Sequence, residues 1–306
     1  MNEDLSRLER LEHCPVCACT DIVPFKKRTF DTDTLNEDNI KITDSDYGKI
    51  WDLDRCRSCT HVFANPSPSN AFIRSLYTKT EDPDYEEESL GRGKNFLRIL
   101  SSLEKIHPQR GMLLDVGAAT GILMSLASER GWYTEGIEPS SWAVKIAKDK
   151  YGQKVVEGSL ETVSLKGETY TAVTLVDFIE HIPCPMEALT KVHEALKPQG
   201  TCCLVTPDRQ SLAARVMGRG WWHFRPGHLA YFSKKSLLTL FERAGFRILK
   251  QRRYAWTFSA HYVLTRIRGL QFLVKNPRMA LFLKRVPIKL ALQDSFEVYA
   301  TKEYVL

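Results

Sequence analysis

The sequence LDVGAATG occupies residues 114–121 and joins a short apolar run, residues 112–116, to a stretch with helical spacing near 121–130. Glycine at such a strand-to-helix turn lets the backbone approach a ligand without an intervening Cβ, and the following helix offers unpaired N–H groups. The spacing of Gly117 and Gly121 does not match the G-x-G-x-x-G dinucleotide fingerprint. A ligand-binding turn is therefore predicted, and a phosphate cradle is disfavoured.

Short apolar runs alternate with helical stretches on both sides of this turn. Besides 112–116, strands are predicted at 133–138, 154–156, 171–177, 201–206, 246–249 and 296–301. Helices are predicted at 95–106, near 121–130, 140–150 and 185–196, and from Ser233 to a glycine stop at Gly245. This alternation predicts an α/β fold with a doubly wound, Rossmann-like parallel sheet. Ligands bind such sheets at the carboxyl ends of the strands.

A carboxylate ends the second predicted strand of this sheet. Glu138 lies 17 residues after Gly121, within the run GIEPS of residues 136–140. A carboxylate at this place can accept two hydrogen bonds from a ribose diol. Together with the turn at 117–121, it favours an adenosine ligand without a pyrophosphate.

Further motifs follow in a consistent order along the chain. They are DFIEHI (177–182), LKPQG (196–200), TPD (206–208), HLAYFS (228–233) and AGF (244–246). With the glycine turn and Glu138, this series resembles the class I methyltransferases that use S-adenosylmethionine (SAM). More narrowly, it resembles the branch related to quinone-biosynthesis enzymes and common among glycan- and sugar-tailoring enzymes. In that branch a zinc-ribbon-like cysteine region with an N-P-x-P exit (65–68 here) and a following Leu76-Tyr77 often precedes the catalytic domain.

The resemblance implies a set of cofactor contacts. Asp115, Gly117, Ala118 and Gly121 would line the methionine part of SAM, Glu138 would hold the ribose, Ser159 and Leu160 would border the adenine, and Asp177 and Phe178 would close the pocket beside the methyl group. The chain departs from the family pattern at two positions. Ala119 stands where glycine is more usual, and Thr171 where many relatives have aspartate. An alanine is compatible with the turn if its φ is negative.

Methyl transfer to a hydroxyl benefits from a base with a pKa near neutrality, for which histidine is the usual choice. His181 lies in the E-H-I motif after strand four, and His228 follows the aromatic, turn-rich segment 221–227. We predict His228 as the general base and His181 as its orienting partner, while a purely structural role remains open for each. Trp221 and Trp222 are candidates either for stacking on a substrate ring or for core packing.

Two C-x-x-C pairs, Cys14/Cys17 and Cys56/Cys59, indicate a metal site. Four thiolates in a tetrahedron form the usual structural zinc site and leave no open coordination position. A redox dithiol or free thiols are the alternatives. The 38 residues between the pairs exceed the common spacing, so a looped-out hairpin is expected.

We predict a zinc-ribbon-like module over 1–80 and a methyltransferase domain over 81–306. An acidic cluster at 81–88 is expected to be a solvated loop or helix start.

Positive charge is concentrated in one part of the chain. Residues 208–290 hold 18 Lys and Arg but 2 Asp and Glu, a local charge of +16 against +6 for the whole chain. Within it, a basic helical insert is predicted over 255–293, before the last strand, with apolar clusters between Arg266, Arg268, Lys275, Arg278, Lys284 and Arg285. Long inserts are usually functional. This one would cover the acceptor or contact an anionic membrane surface, although a solvated helical face would also explain the charge.

The composition is that of a globular protein, with 43% hydrophobic and 26% charged residues among 306. No apolar run is long enough to span a membrane, the first residues lack an apolar signal core, and the protein is expected to be cytoplasmic. The leading prediction is methyl transfer from SAM to a small-molecule or lipid-linked acceptor, at a hydroxyl of a sugar, glycan precursor or related metabolite. The alternatives are an RNA methyltransferase, disfavoured because residues 1–80 lack an arginine-rich face, and a catalytically silent SAM-binding protein.

Overall fold

The computed structural model describes residues 8–267 and 269–303. The predicted domain limits at residues 1 and 306, and Arg268 of the predicted insert, lie outside the described residues. The strands are β1 Leu8–Glu9, β2 Ile22–Lys26, β3 Leu53–Cys56, β4 Val62–Ala64, β5 Ser67–Pro68, β6 Met112–Val116, β7 Tyr133–Glu138, β8 Val155–Glu157, β9 Tyr170–Val176, β10 Leu196–Pro207, β11 Ala230–Tyr231, β12 Phe246–Arg253, β13 Trp256–Ser259, β14 Pro287–Leu290 and β15 Ser295–Lys302. The α-helices are α1 Asn70–Lys79, α2 Pro83–Glu87, α3 Ser89–Ile106, α4 Ile122–Glu129, α5 Ser141–Tyr151, α6 Pro185–Ala195, α7 Leu212–Met217, α8 Lys234–Arg243, α9 Ala260–Arg266 and α10 Pro277–Arg285.

The central sheet has seven strands in the order β12-β15-β10-β9-β6-β7-β8. Five of them, from β10 to β8, are parallel, and β15 runs antiparallel to both of its neighbours. The chain first builds β6, β7 and β8 in one direction and then returns to place β9 on the other side of β6. The prediction of an α/β fold with a doubly wound, mostly parallel sheet is confirmed, and the point where strand order reverses lies between β6 and β9.

The two faces of the sheet bury alternate residues of each strand. Leu113, Ala172 and Cys203 pack with apolar residues of α3 and α4 on one face. Leu114, Val173 and Cys202 pack with α6 and α8 on the other. This period of two is what a strand covered on both faces requires. Cys202 and Cys203 are fully buried, as predicted for core residues of this strand.

Helix α3 begins at Ser89, six residues before its predicted start at Asn95. The first turns contain Gly91 and Gly93, which are weak helix formers. They also bury the polar side chains of Arg92 and Asn95. Apolar periodicity therefore cannot detect these turns, because their buried face is not apolar.

The cysteine region forms a small antiparallel sheet in the order β11-β4-β3-β2. Its last strand, β11, comes from residues 230–231, and Ala230 pairs with Phe63 of β4. Trp51 Nε1 also donates a hydrogen bond to the carbonyl of Pro226 at 2.8 Å. The cysteine-rich module is thus completed by a strand of the catalytic part, and the boundary at residue 80 stays a prediction.

The connection between β2 and β3, residues 27–52, is the looped-out segment of the hairpin. It contains short 3₁₀ turns at Thr32–Thr34 and Glu37–Ile40. Arg225 Nη2 donates a hydrogen bond to the carbonyl of Ile42 at 2.9 Å, and Asp82 accepts one from the Thr43 N–H at 3.0 Å. These bonds hold the segment, here called the ribbon loop, against the catalytic part.

The predicted basic insert combines two helices with a two-stranded sheet that the sequence analysis did not foresee. Strands β13 and β14 pair antiparallel, and α9 and α10 lie between them. The acidic cluster 81–88 contains a helix start, one of the two expectations for it, because Asp82 caps α2. It is not solvated throughout, since Asp82 and Glu88 are buried. Glu88 accepts a hydrogen bond from the Ser259 N–H at 2.9 Å, at the start of α9. Among the described residues, no helix is both long and apolar enough to cross a bilayer.

Candidate active site

The turn after β6 has the tight geometry expected of a ligand-binding loop. Gly117 has φ +74°, and a Cβ at this position would lie 3.1 Å from Phe178 Cδ2. Ala119 has φ +46°, so the negative φ that would make an alanine compatible with the turn is not observed. The alanine adopts a left-handed conformation in which its Cβ is strained. Its N–H is held in place by a hydrogen bond to Glu138.

Glu138 ends β7 with its carboxylate buried and oriented by the backbone. One oxygen accepts a hydrogen bond from the Ala119 N–H and the other from the Ser140 N–H, both at 2.9 Å. Each carboxylate oxygen has further lone-pair capacity, so both can still accept a bond from a ligand. Burial raises the pKa of Glu138 to about 7, an effect that the two backbone hydrogen bonds oppose.

A narrow cleft of about 130 Å³, partly open to solvent, lies over these residues at the carboxyl edge of the sheet. The predicted cofactor residues that line it are Gly117, Glu138, Ser159, Leu160, Asp177 and Phe178. Three other predicted residues, Asp115, Ala118 and Gly121, lie behind its wall. Asp115 accepts a hydrogen bond from Thr174 Oγ1 at 2.6 Å, and burial raises its pKa to about 7. The structure therefore separates residues that face the cleft from residues that support the turn.

Several cleft residues were missed by the sequence analysis. Ile40 comes from the ribbon loop, Tyr77 from α1, Tyr85 from α2 and Trp142 from α5. Tyr77 was noted only as part of a family motif. The position of Trp142, two residues into the helix that follows Glu138, could have indicated it. No local signal identifies Ile40, because its approach depends on the path of the ribbon loop.

A second cavity of about 450 Å³ adjoins the cleft. The two share Ile42, Asp177 and His181 as lining residues. The floor of the second cavity is polar and contains His223 and His228, whereas much of its wall is apolar and comes from the insert, including Trp256, Phe258, Val263, Ile267, Leu290 and Leu292. The predicted insert therefore covers a cavity beside the cofactor cleft.

The two histidines predicted to act together are in contact. The ring centroids of His181 and His228 are 4.7 Å apart, with the rings edge to face. His181 Nδ1 lies 2.8 Å from the carbonyl of Gly227 and 2.7 Å from the hydroxyl of Tyr77, which fixes the ring. His228 Nδ1 is buried without a hydrogen-bond partner among the described residues. Burial lowers the pKa of His181 to about 3 and that of His228 well below its usual value, so both rings are neutral.

Carboxyl groups surround this pair. Glu180 has a carboxylate oxygen within 4.8 Å of a ring nitrogen in both His181 and His228. Its other oxygen accepts a hydrogen bond from Thr206 Oγ1 at 3.0 Å. Burial raises the pKa of Glu180, so its carboxyl group tends to hold a proton. Asp177 has φ +51° and a pKa raised to about 6 by burial, which the charge of Arg92 partly opposes.

The adjacent tryptophans have different environments. Trp221 is fully buried and packs with Phe224 of the loop that contacts the cysteine-rich module. Trp222 lines the second cavity. Of the two roles left open by the sequence, Trp221 takes the core-packing role, and stacking of Trp222 on a substrate ring stays a prediction.

The four cysteines of the two C-x-x-C pairs converge. Their sulfur atoms all lie within 4.8 Å of one another, with Cys14 Sγ to Cys59 Sγ and Cys17 Sγ to Cys56 Sγ both at 3.5 Å. Four sulfurs bound to one zinc at about 2.3 Å would be separated by about 3.8 Å. The hydrogen bond between the two thiols lowers the pKa of Cys59 and raises that of Cys14. The donor set and its spacing fit a tetrahedral metal.

The protein has the features of a SAM-dependent methyltransferase: the sheet topology, the turn after β6, the buried carboxylate of Glu138 and the adjoining cavity. Residues 90–251 match the family described as "Methyltransferase domain", which is more than half of the chain. The chain therefore belongs to this family.

Two relatives and one solved structure are similar to the chain. A ubiquinone biosynthesis O-methyltransferase of Haemophilus ducreyi is 30% identical over 107 residues, covering 32% of this chain and 45% of that protein. The mitochondrial ubiquinone biosynthesis O-methyltransferase of Schizosaccharomyces pombe is 31% identical over 108 residues, covering 33% and 39%. The chain thus spans less than half the length of these relatives. The structure of a SAM-dependent methyltransferase, possible histamine N-methyltransferase, from Thermotoga maritima has 21% identity and a TM-score of 0.47, covering 72% of this chain and 95% of that one.

Proposed function

We propose that the protein transfers a methyl group from SAM to a hydroxyl of a small-molecule or lipid-linked acceptor, such as a sugar, a glycan precursor or a related metabolite. The observation that carries the proposal is the adjoining second cavity, which shares Asp177 and His181 with the cofactor cleft and contains the neutral ring of His228. The two similar ubiquinone biosynthesis proteins are named as O-methyltransferases, which supports oxygen as the methylated atom.

The cleft residues divide into three groups by position. Glu138 would accept hydrogen bonds from the two ribose hydroxyls, because its oxygens are already oriented by the Ala119 and Ser140 N–H groups. Ser159 and Leu160 would border the adenine, and Gly117, Asp177 and Phe178 would surround the methionine part. Asp115, Ala118 and Gly121 would act by shaping the turn. SAM supplies an electrophilic methyl group on a sulfonium, and these residues would hold it in a largely buried place.

His228 would take the proton of the acceptor hydroxyl. Burial lowers its pKa, which keeps the ring unprotonated at physiological pH but also makes it a weaker base than an exposed histidine. Its Nδ1 has no hydrogen-bond partner among the described residues and is free to accept the proton. His181, itself held by Gly227 and Tyr77, would keep the His228 ring in position through their edge-to-face contact. In-line placement of nucleophile and methyl group would supply much of the remaining catalysis.

The surface of the insert supports an amphipathic or lipid-linked acceptor. Phe272 and Phe282 are each 62% exposed, and Leu281 and Met279 are also exposed. Basic residues Arg278, Lys284 and Arg285 alternate with them in α10. Apolar side chains interleaved with basic ones are typical of a surface that rests on an anionic membrane. Such contact would bring a lipid-linked acceptor to the mouth of the second cavity.

The cysteine cluster would hold a structural zinc. Four protein ligands leave no position for substrate, so the metal would stabilise the cysteine-rich module rather than take part in chemistry. The metal would also matter for the cleft, because the ribbon loop joins β2 and β3 of this module and contributes Ile40 and Ile42 to the lining of the cleft.

The proposal is tested by incubating the purified protein with methyl-labelled SAM and a host-cell extract. The products are separated into lipid-linked, polysaccharide, RNA and small-molecule pools. The proposal is supported if the wild-type protein labels a lipid-linked, polysaccharide or small-molecule pool and the His228→Ala variant does not. Label in RNA favours the RNA alternative, and SAM binding without label in any pool favours a silent SAM-binding protein.

A further inference from the structure

The second cavity contains a buried arginine without an ionic partner. Arg92 lies in the first part of α3, is 4% exposed and lines the cavity. Its guanidinium stacks on the ring of Tyr85, 3.7 Å from the centroid. Among the described residues, its side chain forms no hydrogen bond or ion pair within 4 Å, and its Nε is buried without a partner.

Two other partly buried arginines each form a two-point ion pair with a carboxylate. Arg252 forms a two-point ion pair with the buried Glu297, with Nε to Oε2 at 2.7 Å. Arg130 forms a similar pair with Glu104, with Nε to Oε1 at 2.6 Å. Removing a charge from water is unfavourable unless a partner compensates it. Arg92 differs from these two arginines, because its charge faces the Tyr85 ring and the more distant carboxylate of Asp177 but no carboxylate bonds its guanidinium directly.

Two further arginines, Arg225 and Arg266, line the same cavity. Each donates a hydrogen bond at 2.9 Å to the ribbon loop, to the carbonyls of Ile42 and Thr43 respectively, and each has a buried Nε without a partner. Arg266 Nη2 also lies 3.9 Å from Asp84 Oδ2, outside the cavity lining. Against the three cations, the lining itself has two carboxylates, Asp177 and Asp294. Asp294 Oδ2 lies 3.4 Å from His223 Nε2 and is thus already close to another group.

The balance of charge in the cavity is therefore positive, beside apolar walls. An arginine presents its donors as a planar fork that matches a carboxylate or a phosphate, and such bonds are stronger than neutral ones. A cavity with an unpaired buried fork is complementary to a ligand that brings its own negatively charged oxygens.

We propose that Arg92 binds an oxyanion group of the acceptor, a carboxylate or a phosphate, within the second cavity. Arg225 and Arg266 add to the positive field, while the acceptor hydroxyl is directed to His228 in the same cavity. This inference rests on the proposed function for the identity of the ligand as the acceptor. It narrows the acceptor class to molecules that carry a hydroxyl and an oxyanion.

The test measures binding of simple anions to the full chain saturated with S-adenosylhomocysteine, by isothermal titration calorimetry. Inorganic phosphate and benzoate distinguish the two oxyanions, and benzamide is the neutral match for benzoate. We expect one of the anions to bind the wild-type protein and benzamide to bind at least tenfold more weakly. Arg92→Gln should weaken anion binding at least tenfold, and Arg92→Lys should restore part of it.

Arg243→Gln is the matched control, because Arg243 is exposed at the end of α8, away from the cavity. It should leave anion binding unchanged. Affinity for S-adenosylhomocysteine reports whether each variant is folded. Equal anion binding by wild type and a folded Arg92→Gln, or no anion binding by the wild type, overturns the inference. Since the measurement needs no turnover, a protein that binds the anion through Arg92 but methylates no pool would contradict the proposed function and leave the oxyanion site standing.

Discussion

The cofactor cleft and the second cavity share Asp177 and His181, yet they are built in different ways. The polar groups that orient Glu138 lie within 20 residues of it, at the ends of adjacent strands. The second cavity draws its residues from the ribbon loop, α3, the 217–228 segment and the insert. The comparison teaches that the cleft proposed for SAM is encoded by residues close together in sequence, whereas the cavity proposed for the acceptor is assembled from distant segments.

The cysteine cluster is the one element on which both cavities should depend. Removal of zinc by a chelator, or Cys56→Ser, is expected to unfold the cysteine-rich module and release the ribbon loop, which lines both cavities. We expect a loss of more than about 4 kcal/mol in stability, the range typical of losing a metal site, together with loss of SAM binding and turnover. Metal analysis and thermal unfolding measure this. Cys184→Ser, at a half-buried cysteine outside the cluster, should retain the metal. If metal analysis finds no zinc bound to protein purified in reducing buffer, the assignment is contradicted.

His228→Ala should separate the two cavities most clearly. His228 lines the second cavity and not the cleft, so the variant should bind SAM normally while turnover falls about 100- to 10,000-fold, the usual contribution of a general base. An activity assay measures the turnover rate, and calorimetry with SAM measures the affinity. His261→Ala, in α9 and outside the lining of the second cavity, is the control. Full activity of His228→Ala would remove it as the base.

Glu138→Ala should weaken SAM binding, which His228→Ala is expected to leave unchanged. Loss of the ribose-binding carboxylate is expected to weaken SAM binding about 10- to 100-fold, since hydrogen bonds to charged groups contribute about 1.5–3 kcal/mol. Glu135→Ala, on the same strand but hydrogen-bonded to Tyr170 at 2.7 Å outside the cleft, is the matched control. Unchanged SAM affinity in a folded Glu138→Ala would exclude the ribose role.

The affinity for SAM should also depend on pH. With its pKa raised to about 7, Glu138 is mostly protonated at pH 6 and mostly ionised at pH 8. The ionised form is the better acceptor for two hydroxyl groups, so SAM binding should weaken about tenfold as the pH falls from 8 to 6. Glu138→Gln should flatten this dependence. If the profile persists in that variant, another group, such as Asp177 with a pKa raised to about 6, controls it.

The smallest expected effect concerns the turn itself. Ala119 adopts φ +46°, where glycine is preferred, so Ala119→Gly should raise stability by up to about 1 kcal/mol and preserve SAM binding. Urea unfolding measures the change. A destabilisation of about 1 kcal/mol, the value expected for Ala→Gly at ordinary φ, would show that the observed φ carries no strain.

The central sheet was predictable because its strands are short apolar runs between helices of regular period. Each predicted strand of the sheet coincides with an observed one, and most differences are at the ends. The start of α3 was not predictable, since Arg92 and Asn95 are polar and buried. The prediction that the acidic cluster is solvated failed at Asp82 and Glu88 for a related reason. Backbone N–H groups of distant residues, Thr43 and Ser259, donate hydrogen bonds to their carboxylates.

Within the candidate site, the sequence indicated Glu138, the turn at 117–121 and the four cysteines, because each belongs to a short pattern with fixed spacing. It also indicated His181 and His228, but not their contact. Tyr77, Arg92, Arg225 and Asp294 acquire their places only through the packing of α1, α3, the ribbon loop and the insert.

By itself, the sequence determined the class of fold, the cofactor edge of the sheet and the donor set for a metal, since these depend on periodicity and on spacings of a few residues. The tertiary structure alone decided the sign of φ at Ala119, the neutrality of the two histidines and the composition of the second cavity. Strain, burial and the pairing of charges are properties of an environment, and segments as far apart as residues 42 and 266 create that environment only after the chain has folded.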